Sequence, residues 1–185
     1  MMGKKSFIAA LCIGLLFGLA LFIFQSMKPT TSPIPTTSLE TNICEKIKAQ
    51  FGDCKRILLV DTDSDLAFAE TSSGIVPVWL NEELTDLKKV ITPMMDCQEF
   101  KEERGDRGPI DWRANVDDDF SVIYGFAEDA AKTIVINNAD NVQPNRFYVR
   151  EDMYVWYATF HEKVPLPVET TVFDEIGQIL SGERE

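Results

Sequence analysis

Beyond Ser38 the apolar positions of this chain fall mostly into short alternating runs, the two-residue period of strands, preceded by one clear helical period. Ile43, Ile47 and Phe51 recur at helical spacing, Ser38 or Asn42 stands where a cap is wanted, and Gly52 supplies the stop. Residues 57–61, 66–70 and 75–80 predict three strands joined by Thr62-Asp63-Ser64-Asp65 and Ser72-Ser73-Gly74, a small meander. Asn81, the acidic Glu82 and Glu83 behind it, and Leu84, Leu87 and Ile91 on one face predict a second short helix ending before Pro93. Residues 94–115 show no clean period and hold Gly105, Gly108 and Pro109, so they predict an irregular segment. A β-rich half follows, with strands at 121–127, 133–137, 146–149, 153–160, 168–173 and 178–180, the last two joined by a turn at Asp174-Glu175-Ile176-Gly177.

In the run 153–160, Tyr154, Trp156, Ala158 and Phe160 alternate with Val155, Tyr157 and Thr159, so both faces are largely apolar. That strand should be central, with Trp156 inside the core rather than on a binding face. Short strands about ten residues apart favour an antiparallel sandwich. The fold class expected is α+β, mostly β: an N-terminal transmembrane helix, then a short helix and β-meander, followed by an antiparallel Ig-like β-sandwich, with halves at 39–92 and 116–181.

The N-terminal part has a different pattern. Residues 7–24 form an uncharged run of Phe, Ile, Ala, Leu, Cys and Gly, and as a helix 18 residues span ~27 Å, close to the hydrocarbon thickness of a bilayer. Lys4 and Lys5 precede it and Lys28 follows, which places residues 1–6 in the cytoplasm and the C-terminal domain outside it. A cleaved signal peptide would use Gly18-Leu19-Ala20, but would leave Leu21-Phe22-Ile23-Phe24 as an apolar tail in water, so a retained signal-anchor is expected. Cys12, after Ala9-Ala10-Leu11, lacks the small preceding residue of a lipoprotein site. Gly14 and Gly18 form a GxxxG pair that would let two such helices approach as a homodimer. Residues 25–38, with three prolines and several Thr and Ser, read as a linker before the domain at 39–185.

Tyr124-Gly125-Phe126-Ala127, Thr133-Ile134-Val135-Ile136, Val155-Trp156-Tyr157, Leu166-Pro167-Val168 and Val172-Phe173-Asp174-Glu175-Ile176-Gly177 resemble small, uncharacterised membrane-anchored or secreted proteins of Gram-positive bacteria, over Cys44 to Ser181. The resemblance implies no activity.

Charge narrows the partners. The 185-residue chain carries 18 basic and 30 acidic residues, a net −12. Its only charges before Glu40 are Lys4, Lys5 and Lys28, so the part from Ser38 onward has 15 basic and 30 acidic residues, or −15. Its Lys and Arg are scattered along the chain. Such a domain is repelled by phosphate backbones, and nucleic acid is not an expected partner.

Little catalytic chemistry is legible. Asp61, Asp63 and Asp65 imitate the start of a calcium loop, but the sixth position holds Leu66 and the twelfth Ser72, where Gly and Glu are needed, so a polar hairpin turn is expected. Asp117-Asp118-Asp119 reads as a solvated loop, and Arg104-Gly105-Asp106 as a chance adhesion tripeptide in a charged segment. His161 is the only histidine, so no multi-His centre can form, and its setting is a loop between strands. Neither cofactor nor metal is expected, and no catalytic residue is assigned. Of Cys44, Cys54 and Cys97, a helix from Cys44 to Phe51 would hold Cys44 and Cys54 more than ~10 Å apart, past the ~7 Å reach of a disulfide. Cys97 is then the better partner for either, and three reduced cysteines are the alternative. The function expected is that of a noncatalytic, single-pass cell-membrane protein whose extracytoplasmic domain binds a protein or cell-envelope component. The alternatives are a cell-envelope hydrolase, acid-based or using Cys97, and an accessory subunit of a membrane complex.

Overall fold

The computed structural model describes residues 36–94, 96–137 and 139–181, the side chains of 36–38, 104, 106 and 107 aside. Residues 7–24, read above as the membrane span with its Gly14 and Gly18 pair, lie outside the described residues. Among the described residues no helix is long and apolar enough to cross a membrane.

The described residues are mostly β, with eleven strands in antiparallel sheets and two helices. Helix α1 (Thr36–Phe51) takes in the last three residues of the Pro/Thr/Ser segment. A helix of this length is marginal alone. Its Leu39, Ile43 and Ile47 are buried against Ala67, Ala69, Val76 and Val78 of the sheet that follows, and each such side chain contributes ~1.5–3 kcal/mol by leaving water. Gly52, at φ +88°, ends the helix by donating its N–H to Lys48 O at 2.9 Å.

That reversal decides the cysteine pairing. The chain turns back along the helix it has just left, so Cys54 returns to Cys44 with their Cα atoms 5.3 Å apart, and the two form a disulfide. The expectation that Cys97 would take one of them is corrected: the helix rise counted only the outward path, and Cys97 is free.

The first sheet is the expected meander, β1 (Arg56–Asp61), β2 (Leu66–Thr71) and β3 (Gly74–Leu80), extended by β4 (Leu87–Val90) in the order β1-β2-β3-β4. The fourth strand replaces the helix predicted after Asn81. Asn81 does cap, but it caps a loop: its Oδ1 accepts the N–H groups of Thr85 and Asp86, each at 2.9 Å, and Leu84 sits at φ +52°, where no helix can continue. The stretch read as irregular contains helix α2 (Cys97–Arg107). It buries Phe100 and is otherwise so polar that no apolar stripe announced it.

The second sheet has the order β5-β6-β9-β8, built from β5 (Arg113–Val116), β6 (Ser121–Glu128), β8 (Asn145–Arg150) and β9 (Met153–Phe160). The third has the order β11-β10-β7, from β7 (Thr133–Ile136), β10 (Thr170–Phe173) and β11 (Ile179–Ser181). The turn at Asp174 closes the β10–β11 hairpin as expected, with Asp174 Oδ1 accepting from the N–H groups of Ile176 and Gln178.

The second sheet is covered on both faces. Val122, Tyr124, Phe126, Val155 and Tyr157 pack on Leu66, Phe68 and Ile75 of the first sheet. Ile123, Tyr154, Trp156 and Ala158 pack on Ile134, Ile136 and Val172 of the third. This is why β6 and β9 are apolar in both registers, and Trp156 is 0% exposed as its strand predicted.

Opposite Trp156 in the ladder stands Gly125, where a Cβ would lie 2.0 Å from Asp111 O. That carbonyl has left the strand ladder for the sheet face, where it accepts from Trp156 Nε1 at 3.1 Å. The buried Asp111 carboxylate takes its place, accepting the Phe126 N–H while Asp111 N–H donates to Phe126 O. Buried backbone groups must be paired, and here a side chain completes what its own peptide gave up.

Candidate binding cleft

The residues singled out in the sequence do not converge. Asp61 ends β1 and holds the β1–β2 turn: its Oδ2 accepts from Ser64 Oγ and Tyr157 Oη, each at 2.7 Å, and its Oδ1 accepts the Asp63 N–H at 3.1 Å. Burial alone would raise its pKa, but the hydrogen bonds from Ser64, Tyr157 and the backbone outweigh it and hold the carboxyl below its ordinary value. These are the contacts of a polar hairpin turn that also bridges two sheets. Asp117, Asp118 and Asp119 are exposed, with Lys89 against Asp117 and Lys163 3.4 Å from Asp118. Among the described residues no three His, Cys, Asp or Glu side chains are grouped to hold a metal ion. Arg104-Gly105-Asp106 lies within α2, so its backbone is helical. His161 is exposed, its ring edge-on to Phe120 at 6.5 Å, and Phe120 in turn stacks on Trp79 at 4.0 Å.

Cys97 opens α2 in a recess of about 90 Å³ whose wall includes Lys55, Arg56, Glu70 and Arg150 but no histidine. Burial raises the thiol pKa, the nearby Arg150 works against it, and Asp96 and Glu70 push it further up. A thiol kept protonated is a weak nucleophile.

A formed cleft lies elsewhere, and strand arithmetic explains it. A three-stranded sheet covers a four-stranded one, and the strand left at the margin is β8, the outer neighbour of β9. Phe147 and Val149 of β8 join the core toward the first sheet, while Arg146 and Tyr148 alternate onto the side the third sheet does not reach. Tyr148 is 52% exposed. The opening, about 270 Å³, lies between β8 and the start of β7, with Lys132 and Thr133 on one side, Gln143, Pro144 and Arg146 on the other, and Tyr154 and Trp156 below.

Its charges are held in place. Arg146 Nη1 donates to Lys132 O at 2.9 Å, and the guanidinium carbon stands 5.3 Å from the Tyr154 ring centroid. Lys132 Nζ pairs with Asp129 Oδ2 at 2.8 Å, and Tyr148 Oη donates to Asp129 Oδ1 at 2.8 Å. The hydrogen bond to Asp129 raises the Lys132 pKa, and the same bond with that from Tyr148 lowers the Asp129 pKa. Tyr154 is raised by burial and donates its Oη–H to Ala131 O. At neutral pH the cleft wall therefore holds two cations and an un-ionised phenol. Among the described residues, its lining contains no carboxylate, thiol or imidazole, Asp129 standing behind Lys132.

The scattered basic residues of the sequence thus include two that meet. Lys132 precedes β7, Gln143 comes from the following connection and Arg146 from β8, so no local spacing marks them as a group. The usable signal was the swap of Arg146 and Tyr148 for apolar residues on one face of a strand whose other face is apolar. No protein-family model matches this chain, and neither a curated protein nor a solved structure matches it.

Proposed function

We propose that this is a noncatalytic, membrane-anchored domain, held outside the cytoplasm by residues 7–24, that binds a protein or cell-envelope component. The observation that carries the reading is the make-up of the cleft: a formed opening whose described wall offers fixed charge and hydrogen bonds but no carboxylate, thiol or imidazole. Lys132 is held protonated by its pairing with Asp129 and Tyr154 is held neutral by burial, so neither supplies a general base at neutral pH. The protonated, histidine-less setting of Cys97 and the engagement of Asp61 by its own turn weigh against the hydrolase alternative. The anchor rests on the uncharged run and the lysines before it.

The seven C-terminal strands fit an Ig-like sandwich on strand order. Lettered A to G in chain order, β5 to β11 give sheets A-B-E-D and G-F-C, the arrangement of constant-type immunoglobulin domains. Here the A-B-E-D face that such domains leave open is covered by the meander.

The test is affinity capture with the intact chain in its membrane, against a control carrying only residues 1–38. Enrichment of one protein or envelope polymer by the intact chain alone is the expected result. Release of soluble fragments from envelope polymers by the purified chain would replace binding with hydrolysis.

A further inference from the structure

We propose that the cleft between β7 and β8 binds a single acidic group, carboxylate or phosphate, carried on a polyhydroxylated and otherwise neutral ligand such as an acidic sugar residue. This deepens the binding reading above and rests on it.

The formal charges in the cleft wall are those of Lys132 and Arg146, both positive, in a domain that is strongly negative as a whole. The acidic groups acting on Lys132, Asp129 and Glu175, stand outside that wall. A guanidinium has five N–H donors in a fork that matches carboxylate and phosphate oxygens. Arg146 spends Nη1 on the Lys132 carbonyl, a bond that positions the fork, and its guanidinium carbon stands 5.3 Å from the Tyr154 ring centroid, with a hydrogen bond between the two side chains. Thr133 and Gln143 add hydroxyl and amide groups suited to sugar hydroxyls.

Two features restrict the ligand further. Tyr154 and Trp156 form the floor but are 1% and 0% exposed, so their rings give a flat base without a stacking face for a nucleobase or an apolar group. The surrounding −15 charge repels densely charged polymers over a Debye length, whereas a ligand with one acidic group meets that field once and, at contact, the Arg146 guanidinium and the Lys132 ammonium that it would share with Asp129.

Calorimetric and ligand-observed NMR titrations of the intact chain test this with matched probes: D-glucuronate, D-glucose 6-phosphate and D-glucose. At least one of the two acidic sugars is expected to bind in the low-millimolar range, with glucose weaker by about tenfold or more and affinity falling as salt rises. Binding of glucuronate alone assigns the carboxylate source, and of glucose 6-phosphate alone the phosphate source. Arg146→Gln should weaken the bound sugar about tenfold, and Arg146→Lys, which keeps the charge without the fork, should fall between. Lys132→Gln supplies an independent variant, and unchanged tryptophan emission reports an intact floor. No binding of either acidic sugar, equal binding of glucose, or full affinity in well-folded Arg146→Gln and Lys132→Gln would overturn the proposal. Capture of an envelope component that survives Arg146→Gln would remove this cleft while leaving the broader binding function standing, and failure of all capture would remove the broader function.

Discussion

Strand β9 carries two tyrosines on opposite faces, and the polar groups around them are used in opposite ways. Toward the first sheet, Tyr157 donates to Asp61, which also takes Ser64 and the Asp63 N–H, so the part-buried carboxylate is engaged by the fold's own donors. Toward the third sheet, Tyr154 is tied off on Ala131, but the cations beside it border an open cleft. The difference follows from cover. Over Tyr157 a four-stranded sheet meets a four-stranded sheet, while over Tyr154 a three-stranded sheet stops one strand short. A satisfied polar cluster between complete layers holds structure, and a charged cluster at an incomplete margin has capacity left for a ligand.

Substitutions can break this contrast, starting with the element both regions share. Trp156→Ala removes the floor of the cleft and the Nε1–H bonds to Asp111 O and Phe126 O at once. It should cost ~3–5 kcal/mol, a large part of the ~5–15 kcal/mol that holds a domain of this size, and guanidinium titration should show the midpoint collapse. A midpoint near wild type would mean that β9 is not enclosed on both faces.

Removing the Cys44–Cys54 disulfide by a Cys44→Ala, Cys54→Ala pair lies away from both tyrosines and is the control for global loss. Closing a loop of this length is worth ~2–3 kcal/mol. The pair should lower the midpoint without changing sugar binding, and loss of binding at retained fold would connect α1 to the cleft.

Tyr157→Phe should cost ~1–2 kcal/mol, toward the low end for a hydrogen bond to a charged group because the site is only part-buried. Its pH dependence sharpens the point. The Asp61 pKa is lowered in the folded state, so its stabilisation is fully present above the unfolded carboxyl value near ~3.9 and is lost as pH falls through the folded value. Asp61→Asn should flatten that acid limb in a stability-versus-pH series, and an unchanged limb would assign acid unfolding to other carboxylates. Smallest of all, Arg146→Gln should move the midpoint by less than ~0.5 kcal/mol, since the side chain is exposed and its loss buries no unpaired charge.

Much of the layering was legible in the sequence because a sheet buried on two faces leaves an unusual pattern. The run 153–160 matched β9 residue for residue, and its two-faced apolarity marked it as central and not an edge, although nothing in the run showed that the meander would cover one of its faces. Helix α2 was missed because, among its described side chains, Phe100 alone is buried in a core cluster, and the sequence shows no apolar stripe at three-to-four residue spacing. The helix expected after Asn81 failed because a capping side chain satisfies a tight loop as well as a helix start, and the left-handed Leu84 that decides between them has no sequence mark. The disulfide was misjudged by treating helix rise as separation, although Gly52 had already been read as the stop. The cleft was illegible for a different reason: it exists because the third sheet lacks a strand, a property of how layers match and not of any one segment.

The most direct measurement is the shift in urea midpoint, at constant low salt, that saturating D-glucuronate produces in the intact chain, in Tyr157→Phe and in Arg146→Gln. A ligand that binds only the folded state at ten times its dissociation constant adds ~1.4 kcal/mol. Wild type and Tyr157→Phe should gain that increment equally, the latter from a lower starting point, while Arg146→Gln, with about tenfold weaker binding at the same ligand concentration, should start near wild type and gain only ~0.4 kcal/mol. Equal gains in all three proteins, or an Arg146→Gln midpoint depressed as far as that of Tyr157→Phe, would contradict the division between an enclosed structural cluster and an open binding one.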